Sequence, residues 1–167
     1  VIQNIMEALP VTCTMIIMAM AWIVLFTVLV AVFSVIRKNG IFDNAARLFC
    51  IIGICVPSFW LALILLSVFA VKIPVFNVIA DGSLKSLILP SVSMAVPIIC
   101  IATRVLRASI LNELKSDYVV YAKARGFSNT QIIYREVLRN ALPAAITLFA
   151  QYCAALFGTS VLVESVF

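Results

Sequence analysis

The sequence predicts an all-α protein, a polytopic bundle of about four membrane-crossing helices with a helical elbow on one side. Three observations predict it. Of the 167 residues, 65% are hydrophobic and only 11% are charged, with a mean hydropathy of +1.20. A soluble domain is about half apolar and about a quarter charged, so the excess has to face lipid. The charges are also excluded from four long intervals. Finally, the longest polar interval, residues 116–143, carries the punctuation of folded structure.

The first charge-free interval runs from Ala8 to Ile36 between Glu7 and Arg37, and the second from Leu48 to Val71 between Arg47 and Lys72. The third runs from Ser86 to Thr103, and the fourth from Asn140 to Val163. Each is close to or above the ~20 apolar residues that cross a bilayer as a helix. The ~10-residue alternating strands of a barrel are not the pattern. Pro57 lies mid-way along the second span, in C-V-P-S-F-W. Proline removes a backbone hydrogen bond and kinks a helix, and membrane helices tolerate this when neighbours satisfy the freed carbonyl. The kink is read either as static packing or as a hinge. The third span is the shortest and carries Pro90 and Pro97, which predicts a kink or a start inside the membrane boundary. The connection Lys72 to Lys85, with Pro74 and an Asp81-Gly82 turn, reads as a short external loop. The chain begins at Val1 and stops at Phe167 without a polar tail, so we expect a longer protein at both ends.

Basic residues set the orientation. Ten of the twelve fall in two loops: Arg37, Lys38 and Arg47 after span one, and Arg104, Arg107, Lys115, Lys123, Arg125, Arg135 and Arg139 after span three. The positive-inside rule makes these loops cytoplasmic. Within the second loop, Ser116 or Asp117 caps a short helix through Tyr118, Val119, Ala122 and Lys123, and Gly126 supplies the left-handed residue that ends it. Ser128 and Gln131 form a capping box for a second helix from about Asn129 to Arg139, and Pro143 marks the next segment. The loop therefore reads as helix, glycine corner, helix, a shape suited to docking on another protein.

Other functions fit poorly. The loop's positive charges alternate with Glu113, Asp117 and Glu136, a topogenic pattern rather than a nucleic-acid surface. Anionic lipid headgroups are a more ordinary partner, chiefly for Arg104 and Arg107. There is no histidine, and the five cysteines lie in apolar segments without CxxC spacing, where they behave as small hydrophobes. Phosphate loops, zinc motifs and nucleophile–base pairs are missing from the sequence, so neither a catalytic nor a metal site is expected. Intramembrane polar residues are where a transport path is sought. Most hydroxyls in the spans bond their own helix or pack between helices. Gln151, with Thr147 and Ser58, is the candidate path lining, because an amide in hydrocarbon needs a partner or water.

Ala122 and Gly126 are spaced like the second alanine and the glycine of the EAA motif, which resembles the permease subunits of bacterial ABC importers. The D-Y-V at Asp117–Val119, A-K-A-R-G at Ala122–Gly126 and R-N-A-L-P at Arg139–Pro143 are similar to the dipeptide, oligopeptide and nickel branch. Leu9-Pro10 with Thr12, Asp43, Pro57-Ser58-Phe59-Trp60, Leu87–Pro90, Arg104, Arg107, Ser109, Gly158, Glu164 and Phe167 extend the likeness over nearly the whole chain. Val120 and Tyr121 stand where the motif has its glutamate and first alanine, and the proline falls late, at Pro143. The resemblance implies a type I ABC importer permease core over residues 1–167, multi-pass in a bacterial inner membrane, with terminal spans missing. It also implies a cytoplasmic coupling helix seated on an ATPase through Asp117, Tyr118, Tyr121, Ala122, Lys123, Ala124, Arg125, Gly126 and Phe127. Implied partners are a second homologous permease, two ATPase subunits that bind ATP and Mg, and an external binding protein. The cargo would be a peptide, or nickel or another metal chelate. An autonomous channel or ion-coupled carrier is the alternative, disfavoured because the spans lack charges; a structural anchor subunit is the third reading.

Overall fold

The structure, a computed structural model, describes residues 2–73, 76 and 84–166, with side chains from residue 9 onward. The expected turn at Asp81-Gly82 and the loop proline Pro74 lie outside the described residues. Helices are α1 (Ile2–Ile36), α2 (Ile41–Cys55), α3 (Ser58–Leu66), α4 (Ile88–Glu113), α5 (Asp117–Ala124), α6 (Asn129–Ile132) and α7 (Leu138–Glu164). No strand occurs among the described residues, as an all-α chain requires.

α4 is the central rod. Its buried side chains, among them Met94, Ala95, Ala102, Leu106 and Ile110, face α1 on one side and α7 on the other. Small residues let these helices approach closely: Ala19 and Ala31 on α1, Ala95 and Ala102 on α4, and Ala141 and Ala145 on α7 are all buried. Four polar contacts fix the directions. Trp22 Nε1 donates to Ser91 Oγ at 3.3 Å, and just past the end of α1, in the first turn of α2, Asp43 meets Arg107 further along α4, so α1 and α4 run parallel. Ser109 Oγ donates to the Ala141 carbonyl at 3.4 Å, and Thr12 Oγ1 to Glu164 Oε1 at 2.7 Å, so α7 returns antiparallel. The bundle thus has a basic end, carrying Arg37–Asn39 and α5, and an opposite end at Thr12 and Glu164.

Three expectations need correction. The second span is not one kinked rod: α2 and the helix Ser58–Lys72 meet at 103°. Val56 is extended (ψ 118°) because proline disfavours helical backbone in the residue before it, and Pro57 is extended (ψ 141°) as the N-cap of α3. Among the described residues three helices are long and apolar enough to cross a membrane, or four when the bent pair counts as one span. The third span does not stop at Thr103, since α4 continues to Glu113 and carries Arg104 and Arg107 on the same rod. Pro143 is not a boundary either. One helix runs Asn129–Glu164 through a π turn at Ile133–Val137. The carbonyl that Pro143 leaves free belongs to Arg139, an exposed residue at the basic end, where water can satisfy it.

Candidate functional site

The elbow at the basic end is built by local rules. Ser116 occupies the N-cap position in extended backbone, without a side-chain cap bond, and Asp117 places a carboxylate in the first turn of α5, where the helix dipole favours it. The other end is closed by Gly126 at φ +86°. Gly126 N–H donates to the Lys123 carbonyl at 2.9 Å and Phe127 N–H to the Ala122 carbonyl at 3.3 Å, the pair of bonds that makes a Schellman cap. The capping box forms as expected: Ser128 Oγ accepts from Gln131 N–H at 3.3 Å, and Gln131 Oε1 accepts from Ser128 N–H at 3.0 Å.

Burial divides α5 into two faces. Val119 and Ala122 are buried against the bundle. Tyr118 is half-buried, and its hydroxyl donates to Glu113 Oε2 at 2.7 Å, tying α5 to the end of α4. Burial, together with the Glu113 carboxylate, pushes the Tyr118 phenol above its ordinary pKa. Val120 and Tyr121 point outward, 65% and 67% exposed. Arg125 lies over the rings of Tyr121 (5.8 Å) and Phe127 (5.2 Å), a cation–π arrangement. Asp117, Lys123, Ala124, Arg125 and Gly126 are exposed too, and Phe127 is half-buried. Among the residues expected to seat the coupling helix, Tyr121 is therefore turned outward and Ala122 inward.

An ion pair holds the same end together. Asp43 is fully buried and accepts two bonds from Arg107, Nε to Oδ1 and Nη2 to Oδ2, both at 2.8 Å. Asp43 Oδ2 also accepts from the Asn39 backbone N–H at 3.0 Å, which holds Asn39 at its left-handed φ of 62°. Arg47 adds a looser contact at 3.7 Å and bonds Asn44. One carboxylate thus binds the α1–α2 corner to α4.

Two hollows follow one face of α4. The first, about 240 Å³, is lined by Val56, Pro57 and Ser58 of the α2–α3 bend, by Met94, Pro97 and Ile98, and by Tyr152, Ala155 and Thr159 of α7. The second, about 520 Å³, continues toward the basic end past Ile54, Ile101, Arg104, Val105, Ala108, Ser109 and Asn112. On another face of α4 a hollow of about 400 Å³ is lined by apolar and aromatic side chains alone, such as Phe26, Phe49, Val92 and Ile99.

With that geometry in hand, the comparisons decide the family. The sequence model for the binding-protein-dependent transport system inner membrane component matches residues 23–167. The chain belongs to that family. The dipeptide transport system permease protein DppB of Bacillus subtilis (strain 168) is 35% identical over 136 residues, covering 81% of this chain and 44% of the relative. The glutathione transport system permease protein GsiC of Escherichia coli (strain K12) is 30% identical over 149 residues, covering 89% of this chain and 49% of the relative. The chain thus spans about half the length of the curated relatives it matches.

This inner membrane component therefore brings together only part of the expected path lining. Ser58 lies in the smaller hollow. Thr147 and Gln151 are exposed and line neither hollow; Thr147 Oγ1 donates to the Pro143 carbonyl at 3.0 Å. Tyr152 and Thr159 take the positions facing Ser58, a seven-residue pair on α7 that helical periodicity could have selected once the bend was known. The Asp43–Arg107 pair was not foreseen either: both residues were noted singly, but 64 positions separate them. Arg107 is engaged by Asp43, whereas Arg104, three residues earlier on α4, is exposed and lines the larger hollow.

Proposed function

We propose that the chain is the core of a permease subunit that forms the path for short peptides in an ATP-driven importer. The observation that carries the reading is α5: a short helix closed by a Schellman cap, anchored to α4 through Tyr118 and Glu113, and presenting Val120 and Tyr121 outward. Outward apolar and aromatic side chains on a firmly held helix, ringed by charges, are what a compact interface needs. Asp117, Lys123 and Arg125 supply the rim. The helix sits on the cytoplasmic side, docked on an ATPase subunit that binds ATP and Mg. Closure of the ATPases then pushes α5, and the rigid link to α4 passes the motion to the helices around the path. A second permease of similar fold and an external binding protein complete the importer.

A peptide cargo is supported by relatives named for dipeptide and glutathione transport. Ser58 serves the path, while Gln151 and Thr147 would reach it only where a second permease faces α7.

The test is reconstitution of the full-length permease with its partner permease, ATPases and binding protein in liposomes. Peptide uptake that requires ATP and the binding protein is the expected result. Flux through the permease alone, without ATPases, would replace this reading with an autonomous channel or carrier.

A further inference from the structure

The two hollows along α4 differ from the all-apolar one in what they offer a solute. At the α2–α3 bend the helix is interrupted at Val56 and Pro57. Irregular backbone at membrane depth persists only where protein or a water-filled cavity satisfies it, and interrupted helices commonly mark the site in transporters. Ser58, Tyr152 and Thr159 line the hollow at this bend, with Thr159 Oγ1 donating to the Ala155 carbonyl of its own helix at 3.2 Å. Further along the same face stands Arg104, with Ser109 and Asn112. From Ile88 to Arg104 is sixteen residues, a rise of about 24 Å, so the guanidinium lies near the far edge of the hydrocarbon layer rather than in bulk water. An exposed arginine at that height costs little, since its guanidinium can reach the interface; what singles it out is the hollow that it lines.

Arg104 makes no hydrogen bond or ion pair among the described residues. The acids nearest the end of α4 are engaged elsewhere: Asp43 with Arg107 and Arg47, and Glu113 with the Tyr118 hydroxyl. No acidic side chain lines either hollow. The trough is therefore neutral along its inner part and carries one unmatched guanidinium toward the basic end.

We infer that Arg104 is a way-station for the carboxylate of the transported peptide, holding it in the larger hollow while the rest of the cargo occupies the neutral part beside Ser58, Tyr152 and Thr159. This rests on the peptide-permease reading above and adds the group by which cargo is held. A guanidinium fork matches a carboxylate bidentately. The terminal carboxylate is common to all unmodified peptides, so one arginine serves cargoes of differing side chains. The absence of a second fixed charge in the lining keeps the binding weak enough for release.

The complete importer in liposomes tests this with Arg104→Gln and Arg104→Lys, using dialanine and dialanine amide as cargo. Each variant's rate is divided by the wild-type rate for the same cargo, which cancels any preference of the binding protein. Arg104→Gln should slow dialanine about tenfold, the worth of one charge-assisted contact, and leave the amide essentially unchanged; Arg104→Lys should fall between. Equal slowing of both cargoes, or of neither, overturns the inference while leaving peptide import intact. Where the wild type does not move the amide, Arg104→Cys decides: cargo-loaded binding protein should slow its modification by an anionic thiol reagent, and unchanged labelling overturns the assignment. Slowing by phosphatidylglycerol in place of cargo assigns the trough to a lipid headgroup and likewise overturns it. A wild-type importer that moves no peptide at all refutes the import reading itself, and this inference with it.

Discussion

Arg107 grips Asp43 with two parallel bonds of 2.8 Å across 64 residues of chain, and the carboxylate they share is fully buried. Breaking a buried pair from one side is far more costly than the pair's net worth, because a desolvated charge is left behind. Asp43→Ala should therefore lower stability by about 3–5 kcal/mol, read as a loss of thermal stability of the detergent-solubilised complex. The double variant Asp43→Leu/Arg107→Met should recover much of that loss. Single and double variants of equal stability would remove the clamp from the account of this end.

Gly53 on α2 lies directly under Cys100 of α4, where a methyl group would overlap the Cys100 sulfur. Both Cys50 and Cys100 are buried there. Overpacking of this kind costs about 1–3 kcal/mol. Gly53→Ala should destabilise by that amount, and Gly53→Ala/Cys100→Ala should restore most of it by removing the obstructing sulfur. Non-additivity measured by thermal unfolding checks the contact; simple additivity would deny it.

Tyr121 and Val120 are exposed and carry little of the fold. Tyr121→Ala or Val120→Asp should leave expression and thermal stability within about 0.5 kcal/mol, as surface changes do. In the assembled importer the same variants should uncouple ATP hydrolysis from uptake. Normal coupling in both variants would move the docking surface away from α5.

Gly126 has no neighbour within 4 Å of where a side chain would begin, but its φ is +86°. Its requirement is thus conformational rather than steric. Gly126→Asn should be tolerated better than Gly126→Val, since asparagine visits left-handed backbone and a β-branched residue resists it. Uptake per ATP hydrolysed separates these outcomes, and equal behaviour of Asn and Val would refute the conformational argument.

The elbow was legible because its signals are local. Gly126 ends a helix through its own backbone freedom, and Ser128 and Gln131 satisfy each other three residues apart. The spans were legible for a related reason: exclusion of charge is a property of each interval by itself. Pro57 announced a disturbance, yet its size was not readable, since a proline fixes the local dihedrals and packing against α4 and α7 decides where the chain goes next. Pro143 shows the converse, because an exposed end where water reaches the Arg139 carbonyl lets the helix pass straight through.

By itself the sequence determined that this chain is helical, lipid-embedded and furnished with a capped helix at its basic end. Those features follow from hydrophobicity, charge placement and short-range backbone chemistry, each acting within a few residues. Only the tertiary structure decided which groups meet: Asp43 with Arg107, Thr12 with Glu164, and Ser58 with Tyr152 and Thr159 around the 103° bend. Such meetings depend on the relative rotation and height of packed helices. Summed over many weak side-chain contacts, that choice leaves no signature at any single position.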